Sequence, residues 1–418
     1  MKTHTTTAQS TPADAPASAP LTGLRVLDLG WVMVGPMSGR YLADMGADVI
    51  KIESSRRLDP LRTLGPFRDG KPNPERSLSY HFINAGKRGL TLDLNTETGR
   101  EIVRALVRKA DVLIESFTGG VIDRMGLGWE RLRAENPALI MVSTCLFGQT
   151  GPERSVSGVG TLGAAYAGAS ALIGWPDRPP TGPHGPWTDS VTPRFIVASV
   201  LAALHRRRRT GQGCYIDVAQ AEAGLQFLLP AYFEQAANGR SPRRVGGDAD
   251  PLRSPSGVFP CAGDDRWVAI DASADAHWRA LRALAPAVLT EPVFDTLVGR
   301  LRQRERLHAA LGEWTATQDA LDLERRLQAV GVPAQRVCQA NDLAGDEDLL
   351  HDGYFGAIED PQIGPMKIRN PMFSLEPAGV IAARPAPRLG DATDAILREV
   401  GGYSDAQVAQ FRQDGVLA

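Results

Sequence analysis

The apolar positions of this chain fall into short continuous runs separated by amphipathic stretches. Residues 24–29 (Leu-Arg-Val-Leu-Asp-Leu) and 48–53 (Asp-Val-Ile-Lys-Ile-Glu) read as strands, and residues 36–45 between them as a helix closed by Gly46. Strand, helix and strand of these lengths predict a right-handed βαβ unit in a parallel sheet. The alternation repeats downstream. Residues 90–94 predict a strand, and Asn95 offers a cap to a helix with Ile102, Val103, Leu106 and Val107 on one face. Residues 112–115 and 139–143 predict further strands. The fold class is α/β, with a Rossmann-like large domain.

Beyond residue 150 the pattern changes. Residues 157–173 are small and apolar, which predicts a closely packed helix. Thr192-Pro193 fits a cap with proline in the first turn, opening a helix through Phe195, Val197, Val200, Leu201 and Leu204. It ends in Arg206, Arg207, Arg208 and Arg209, positive charge that favours a helix C-terminus. A Gly/Pro-rich loop at 241–257 and helices rich in Ala, Leu and Arg follow. The predicted organisation is a flexible tail at 1–20, the first part of the large domain at 21–222, a smaller α+β domain at 223–330, and a return segment at 331–418 completing the large domain.

Composition narrows the function classes. A formal net charge of -2 over 418 residues argues against nucleic-acid binding, which favours a basic face. No run of about 20 apolar residues is present to span a bilayer. The N-terminal stretch has neither the apolar core of a secretory signal nor the arginines of a transit peptide, so a cytoplasmic location is expected. Cys145, Cys214, Cys261 and Cys338 are scattered, with no CxxC and no metal-ligand spacing, and no metal is expected. The first turn offers Gly30 and then Gly35-Pro36, not GxGxxG, which counts against a dinucleotide cofactor.

The candidate chemistry centres on Asp189, in Gly185-Pro-Trp-Thr-Asp-Ser190. It lies between a Pro/Gly-rich loop and the predicted helix. A carboxylate at such a junction is kept ionised by the helix dipole and serves as a nucleophile toward an activated acyl group. The bland alternative is a helix cap. Tyr166, Trp175, His184 and Trp187 are available for an aromatic pocket, or simply for packing.

Several motifs occur in a telling order. They are Val26-Leu-Asp-Leu29 with Val34-Gly-Pro36, the run from Leu42 to Glu53, Gly86-Lys-Arg88 leading to Leu92-Asp-Leu94, and Asp123-Arg-Met-Gly126. Leu146-Phe-Gly148, Gly151-Pro152, Asp189, Arg208-Arg-Thr-Gly-Gln-Gly213 and Pro387-Arg-Leu-Gly390 follow. The chain resembles the class III coenzyme A transferases of the formyl-CoA and carnitine CoA-transferase type over residues 21 to 418.

The resemblance implies a large domain built from both chain ends and an interlocked dimer, either of two copies or with a related subunit. It implies a coenzyme A thioester as substrate, with no permanently bound cofactor. It also places Val32, Lys87, Arg88, Phe117 and Arg124 near the nucleotide. Read from the residues alone, Val32 and Phe117 fit a core equally well, and the three basic residues fit solvated charge. Ser116, Cys145 and Ala392 depart from residues usual in the family. The Ser190-Val-Thr-Pro193 stretch and the loop from Gly174 are more similar to the benzylsuccinate CoA-transferase branch, which acts on aromatic or dicarboxylic acids.

The implied reaction moves coenzyme A from an acyl-CoA such as succinyl-CoA to a free carboxylic acid through an anhydride and a thioester on Asp189. Gly246-Gly247 are candidates to shield these from water. Two other readings stand beside it, a non-catalytic subunit of a heteromer and an acyl-CoA racemase. Racemases of this type carry a proton-transferring His where this chain has Val159.

Overall fold

The computed structural model describes residues 19–246, 250, 252–285, 287–361, 363–376, 379, 381 and 384–418. The chain divides into two units. The larger is Met1–Ala167, His184–Leu229 and Leu349–Ala418, and the smaller is Gly168–Pro183 and Pro230–Asp348. Most of the tail expected at 1–20 lies outside the described residues.

In the larger unit six strands form one parallel sheet: β1 (Arg25–Asp28), β2 (Asp48–Glu53), β3 (Arg88–Thr91), β4 (Val112–Glu115), β5 (Ile140–Cys145) and β6 (Cys214–Ala219), in the order β3-β2-β1-β4-β5-β6. The chain builds outward from β1 to β3, then restarts on the other side of β1 with β4. The loops leaving the carboxyl ends of β1 and β4 therefore diverge and open a crevice, the usual place for a ligand in such sheets.

The helices that matter here are α1 (Val34–Asp44), α2 (Glu97–Val107), α3 (Gly160–Tyr166), α4 (Trp187–Thr210) and α5 (Gln220–Leu225). Ile102, Val103, Leu106 and Val107 of α2 pack on Leu27, Ile50, Leu113 and Met141 on one sheet face. Leu42 of α1 and Ile196 and Val200 of α4 pack on Val26, Val112, Ile140 and Val142 on the other. With both faces covered, the central strands are apolar on both sides, which is why they read as continuous runs.

Several local expectations are corrected. β3 runs from 88 to 91 instead of 90–94, because Asp93 turns the chain: its amide meets the Val416 carbonyl at 2.8 Å and its carboxylate accepts from the Asn95 amide at 3.0 Å. Asn95 is thereby engaged, and Thr96 caps α2 instead, its hydroxyl accepting from the Gly99 amide at 3.0 Å. α4 starts five residues before the expected cap, with Pro193 inside it. The Thr192 hydroxyl does not cap; it donates back to the Thr188 carbonyl at 2.6 Å. The segment 157–173 is not one helix, since Gly168, at φ 94°, breaks it after α3. The basic end of α4 is structural, with Arg207 paired to Asp111 at 2.8 Å and Arg206 on the Gln212 carbonyl at 3.2 Å.

The smaller unit carries an antiparallel sheet of β7 (Ser256–Pro260), β8 (Trp267–Asp271) and β9 (Ala334–Arg336), covered by Trp278, Leu281, Leu307, Leu311, Leu323 and Leu327 from its helices. β9 is the reason this unit extends past the expected boundary at 330. It pairs with β8, some 65 residues upstream, so its membership is invisible to local pattern. The four cysteines are free thiols, and among the described residues no helix is long and apolar enough to cross a membrane.

Candidate active site

The loop after β1 is held by buried charge. Lys51 on β2 pairs with Asp59 at 3.1 Å, with both side chains fully inaccessible, and also donates to the Gly30 carbonyl. Burial by itself would lower the Lys51 pKa, but Asp59, Asp28 and Glu53 outweigh it and hold the ammonium above its ordinary value. Asp59 Oδ1 in turn accepts from the amides of Val32, at 3.1 Å, and Leu61, at 3.0 Å. This grip fixes an unusual backbone: Val32 sits at φ 60°. A β-branched residue in the left-handed region costs on the order of 1–3 kcal/mol, and such strain persists only where the surroundings over-determine it.

Across the crevice, the loop after β4 is tied to this turn. The Trp31 amide donates to Ser116 Oγ at 2.8 Å, and the Trp31 ring meets Phe117 edge-on at 6.1 Å. The exposed Arg57 guanidinium lies 4.5 Å over the indole. Buried Glu115, pushed up to about 7 by burial, anchors the same loop by accepting from the Phe117 amide at 2.8 Å.

Asp189 completes the site. It is the third residue of α4, and its side chain opens on a cavity of about 200 Å³ shared with Trp31, Val32, Ser116, Cys145 and Gln220. Only 3% of it is exposed, and among the described residues its side chain has one hydrogen bond, from the Gly160 amide at 3.2 Å. The helix dipole expected to keep it ionised does not hold it at the ordinary carboxylate value. Burial pushes its pKa up to about 6, against the opposing pull of the Gly160 amide. A shift of that size is worth about 3 kcal/mol, more than the ~1 kcal/mol a helix terminus ordinarily supplies. The carboxylate is poorly solvated.

Glycine is required where α3 meets α4. A Cβ at Gly160 would stand 2.8 Å from Asp189 Cγ, and one at Gly163 would stand 2.4 Å from Thr188 Oγ1. Gly160→Ala is therefore expected to displace Asp189 and lower kcat at least about 100-fold, as misplacement by 1 Å commonly does. Steady-state kinetics on the folded variant checks this, and a loss under about threefold would refute it.

Of the residues singled out in sequence, the structure brings Val32 and Asp189 into one cavity and sets Phe117 against its rim through Trp31. Exposed Arg124 lies on the short helix of the same β4 loop, beside Gly120. Lys87 is corrected to a structural role. Its Nζ is buried and donates to Asp28 Oδ2, the Pro36 carbonyl and Asn84 Oδ1, each at 2.7 Å, so its three N–H groups are occupied and none is available to a phosphate. Arg88 lies at the amino edge of the sheet, paired with Asp48 at 3.5 Å and Glu399 at 2.8 Å, away from the carboxyl-end crevice.

Among the departures from family pattern, Ser116 and Cys145 line the cavity, whereas Ala392 packs against the core. Tyr166 and Trp187 pack on Phe147 and Phe227. Gly246 approaches Trp175 within the smaller unit, and Gly247 lies outside the described residues. The sequence reading missed Trp31, Gly160, Gln220 and the Lys51–Asp59 pair. A lysine amid apolar strand residues at 49–52 was the one available signal for the pair.

Residues 21–393 match CoA-transferase family III. A succinyl-CoA–D-citramalate CoA-transferase of Chloroflexus aurantiacus is 35% identical over 95% of this chain and 98% of its own length. The alpha subunit of a succinyl-CoA–L-malate CoA-transferase of the same organism is 31% identical over 98% of this chain and 95% of its own length. A CAIB/BAIF family protein from Brucella suis superposes with a TM-score of 0.83 at 33% identity, covering 92% of this chain and all of that one. With a family match over most of the chain and relatives above 30% identity along nearly its whole length, this chain is a member of CoA-transferase family III.

Proposed function

We propose that the protein moves coenzyme A from succinyl-CoA to a free dicarboxylic acid through a covalent intermediate on Asp189. The observation that carries this is the buried Asp189 carboxylate, held by the Gly160 amide and facing a small cavity at the sheet's switch point. The dicarboxylic preference rests on the relatives that act on citramalate and malate.

The steps balance without ATP. Asp189 Oδ1 adds to the thioester carbonyl and expels the thiolate, leaving a mixed anhydride. The thiolate attacks Asp189 Cγ, forming an aspartyl-CoA thioester and releasing succinate. The acceptor carboxylate attacks that thioester, giving a new anhydride and again the thiolate. Thiolate attack on the acceptor's acyl carbon then yields the new acyl-CoA and regenerates the carboxylate. Gly160 N–H, already on Oδ2, is placed to stabilise the charge that develops there when Cγ is attacked. Val159 lines the cavity and can carry no proton, which disfavours racemisation.

Incubation with succinyl-CoA followed by peptide mass spectrometry tests the reading. A coenzyme A or hydroxylamine adduct on the Asp189 peptide, missing in Asp189→Asn, is the expected result; none with any acyl-CoA would overturn it. The alpha-subunit relative favours one second reading, a scaffold chain needing a related partner; restoration of activity only by a second chain would support it. The subunit association we favour is an interlocked dimer, measurable as the solution mass.

The pH dependence has a definite sign. The nucleophile must be ionised, so kcat/KM is expected to fall about tenfold per pH unit below pH 6 and to be level above it. A profile flat down to pH 4.5 would show that Asp189 is not the group attacking.

A further inference from the structure

The cavity around Asp189 poses an electrostatic problem. The reaction develops negative charge on two carbonyl oxygens, yet among the described residues no Lys, Arg or His lines this cavity, and its titratable groups are Asp189 and Cys145 alone. The Cys145 thiol is turned to the Gly148 carbonyl at 3.1 Å. Gly160 N–H serves the oxygen of Asp189. The neutral side-chain donors on its lining are the Trp31 indole, the Ser116, Thr118 and Ser157 hydroxyls and the Gln220 amide, and of these Gln220 alone is buried among the described residues.

Gln220 meets the need. It is the first residue of α5, directly after β6, and lines the cavity while only 7% exposed. Its Oε1 lies 3.5 Å from the Thr188 hydroxyl, whose single proton is nearer the Gly160 carbonyl at 3.2 Å, so this loose contact sets the side chain beside the residue preceding Asp189 without fixing it. That leaves Nε2 with two N–H groups and no acceptor among the described residues. Its N–H groups are therefore available to a group entering the cavity without breaking an existing hydrogen bond. We propose that Gln220 Nε2 is the hydrogen-bond donor for the acyl oxyanion, a catalytic role that rests on the aspartyl reading above. When Asp189 Oδ1 adds to the thioester carbon, the carbonyl π pair moves onto oxygen, where Nε2–H receives it. Collapse returns the pair as the thiolate leaves. Acyl and aspartyl oxyanions then have separate neutral donors, Gln220 and Gly160, and neither introduces a cation that would hold the carboxylate product.

The test uses the full-length enzyme with succinyl-CoA, in two variants. Gln220→Leu keeps the volume and removes the donor. The expected result is a 100- to 1,000-fold lower kcat with KM within about threefold, and adduct formation on Asp189 slowed by the same factor in single turnover. Gln220→Glu adds a second carboxylate to a cavity without a cation, so the acid limb of the pH profile should move upward by about one unit or more. Unchanged kcat in Gln220→Leu, or a loss confined to KM, overturns the proposal while leaving the aspartyl mechanism intact. An unmoved acid limb in a folded Gln220→Glu overturns it too, by placing the side chain away from Asp189. Absence of any adduct in the wild type overturns both.

Discussion

Asp189→Asn is expected to lose on the order of 10⁴-fold or more in kcat, the scale seen when a covalent nucleophile is removed, and at the same time to gain stability. The two effects have one cause. In the unfolded chain the aspartate titrates near its ordinary value; in the folded protein burial raises it to about 6. Below about pH 3 both states are protonated and nothing is lost. As pH rises from about 3 through 6 the unfolded state ionises first, and the folded state loses up to about 3 kcal/mol of stability by pH 7. Asparagine does not titrate, so the variant should unfold at higher urea concentration at pH 7.5, by the equivalent of about 1–3 kcal/mol, and at nearly the same concentration near pH 3. Paired denaturation curves at the two pH values check this. A variant less stable than the parent at pH 7.5 would mean that the ionised carboxylate is well solvated and that the stored cost is not there.

Lys51→Met should produce the largest loss of stability. Removing the ammonium leaves Asp59 as a buried charge without its partner and the Gly30 carbonyl without its donor. Breaking a buried pair on one side costs about 3–5 kcal/mol. The damage should reach function, because Asp59 holds the Val32 amide and with it the strained turn that lines the cavity. Lys51→Met/Asp59→Asn removes the orphan charge while keeping an oxygen for the Val32 and Leu61 amides, and is expected to recover at least half of the lost stability. Urea titrations of the parent, single and double variants measure each term. If the single variant loses less than about 1 kcal/mol, the pair is not what pins this turn.

The architecture was largely legible because it depends on local pattern. Apolar runs at 24–29, 48–53, 112–115 and 139–143 fall on strands buried from both sides, and the periodic face Ile102, Val103, Leu106 and Val107 does pack on the sheet. Asp189 could be singled out because the segment preceding α4 is rich in Pro and Gly. Where polar side chains compete for the same backbone groups, local pattern misled. Thr96 rather than Asn95 caps α2, and Thr192 bonds backward within α4 instead of opening it.

The sequence by itself determined that a parallel α/β sheet forms, since that is written in the spacing of neighbouring residues, and its ordered motifs, by their resemblance to a family, pointed to the carboxylate to examine. Only the tertiary structure decided what the charged groups do. Lys87 and Arg88 are adjacent cations, yet one is buried on three acceptors and the other is paired at the far edge of the sheet. The ionisation of Asp189, the bond from Gly160 and the placement of Gln220 likewise depend on residues about 30 positions apart meeting in one cavity. Burial and pairing set the energy of a charge, and both are properties of the folded surroundings, which no local stretch of sequence contains.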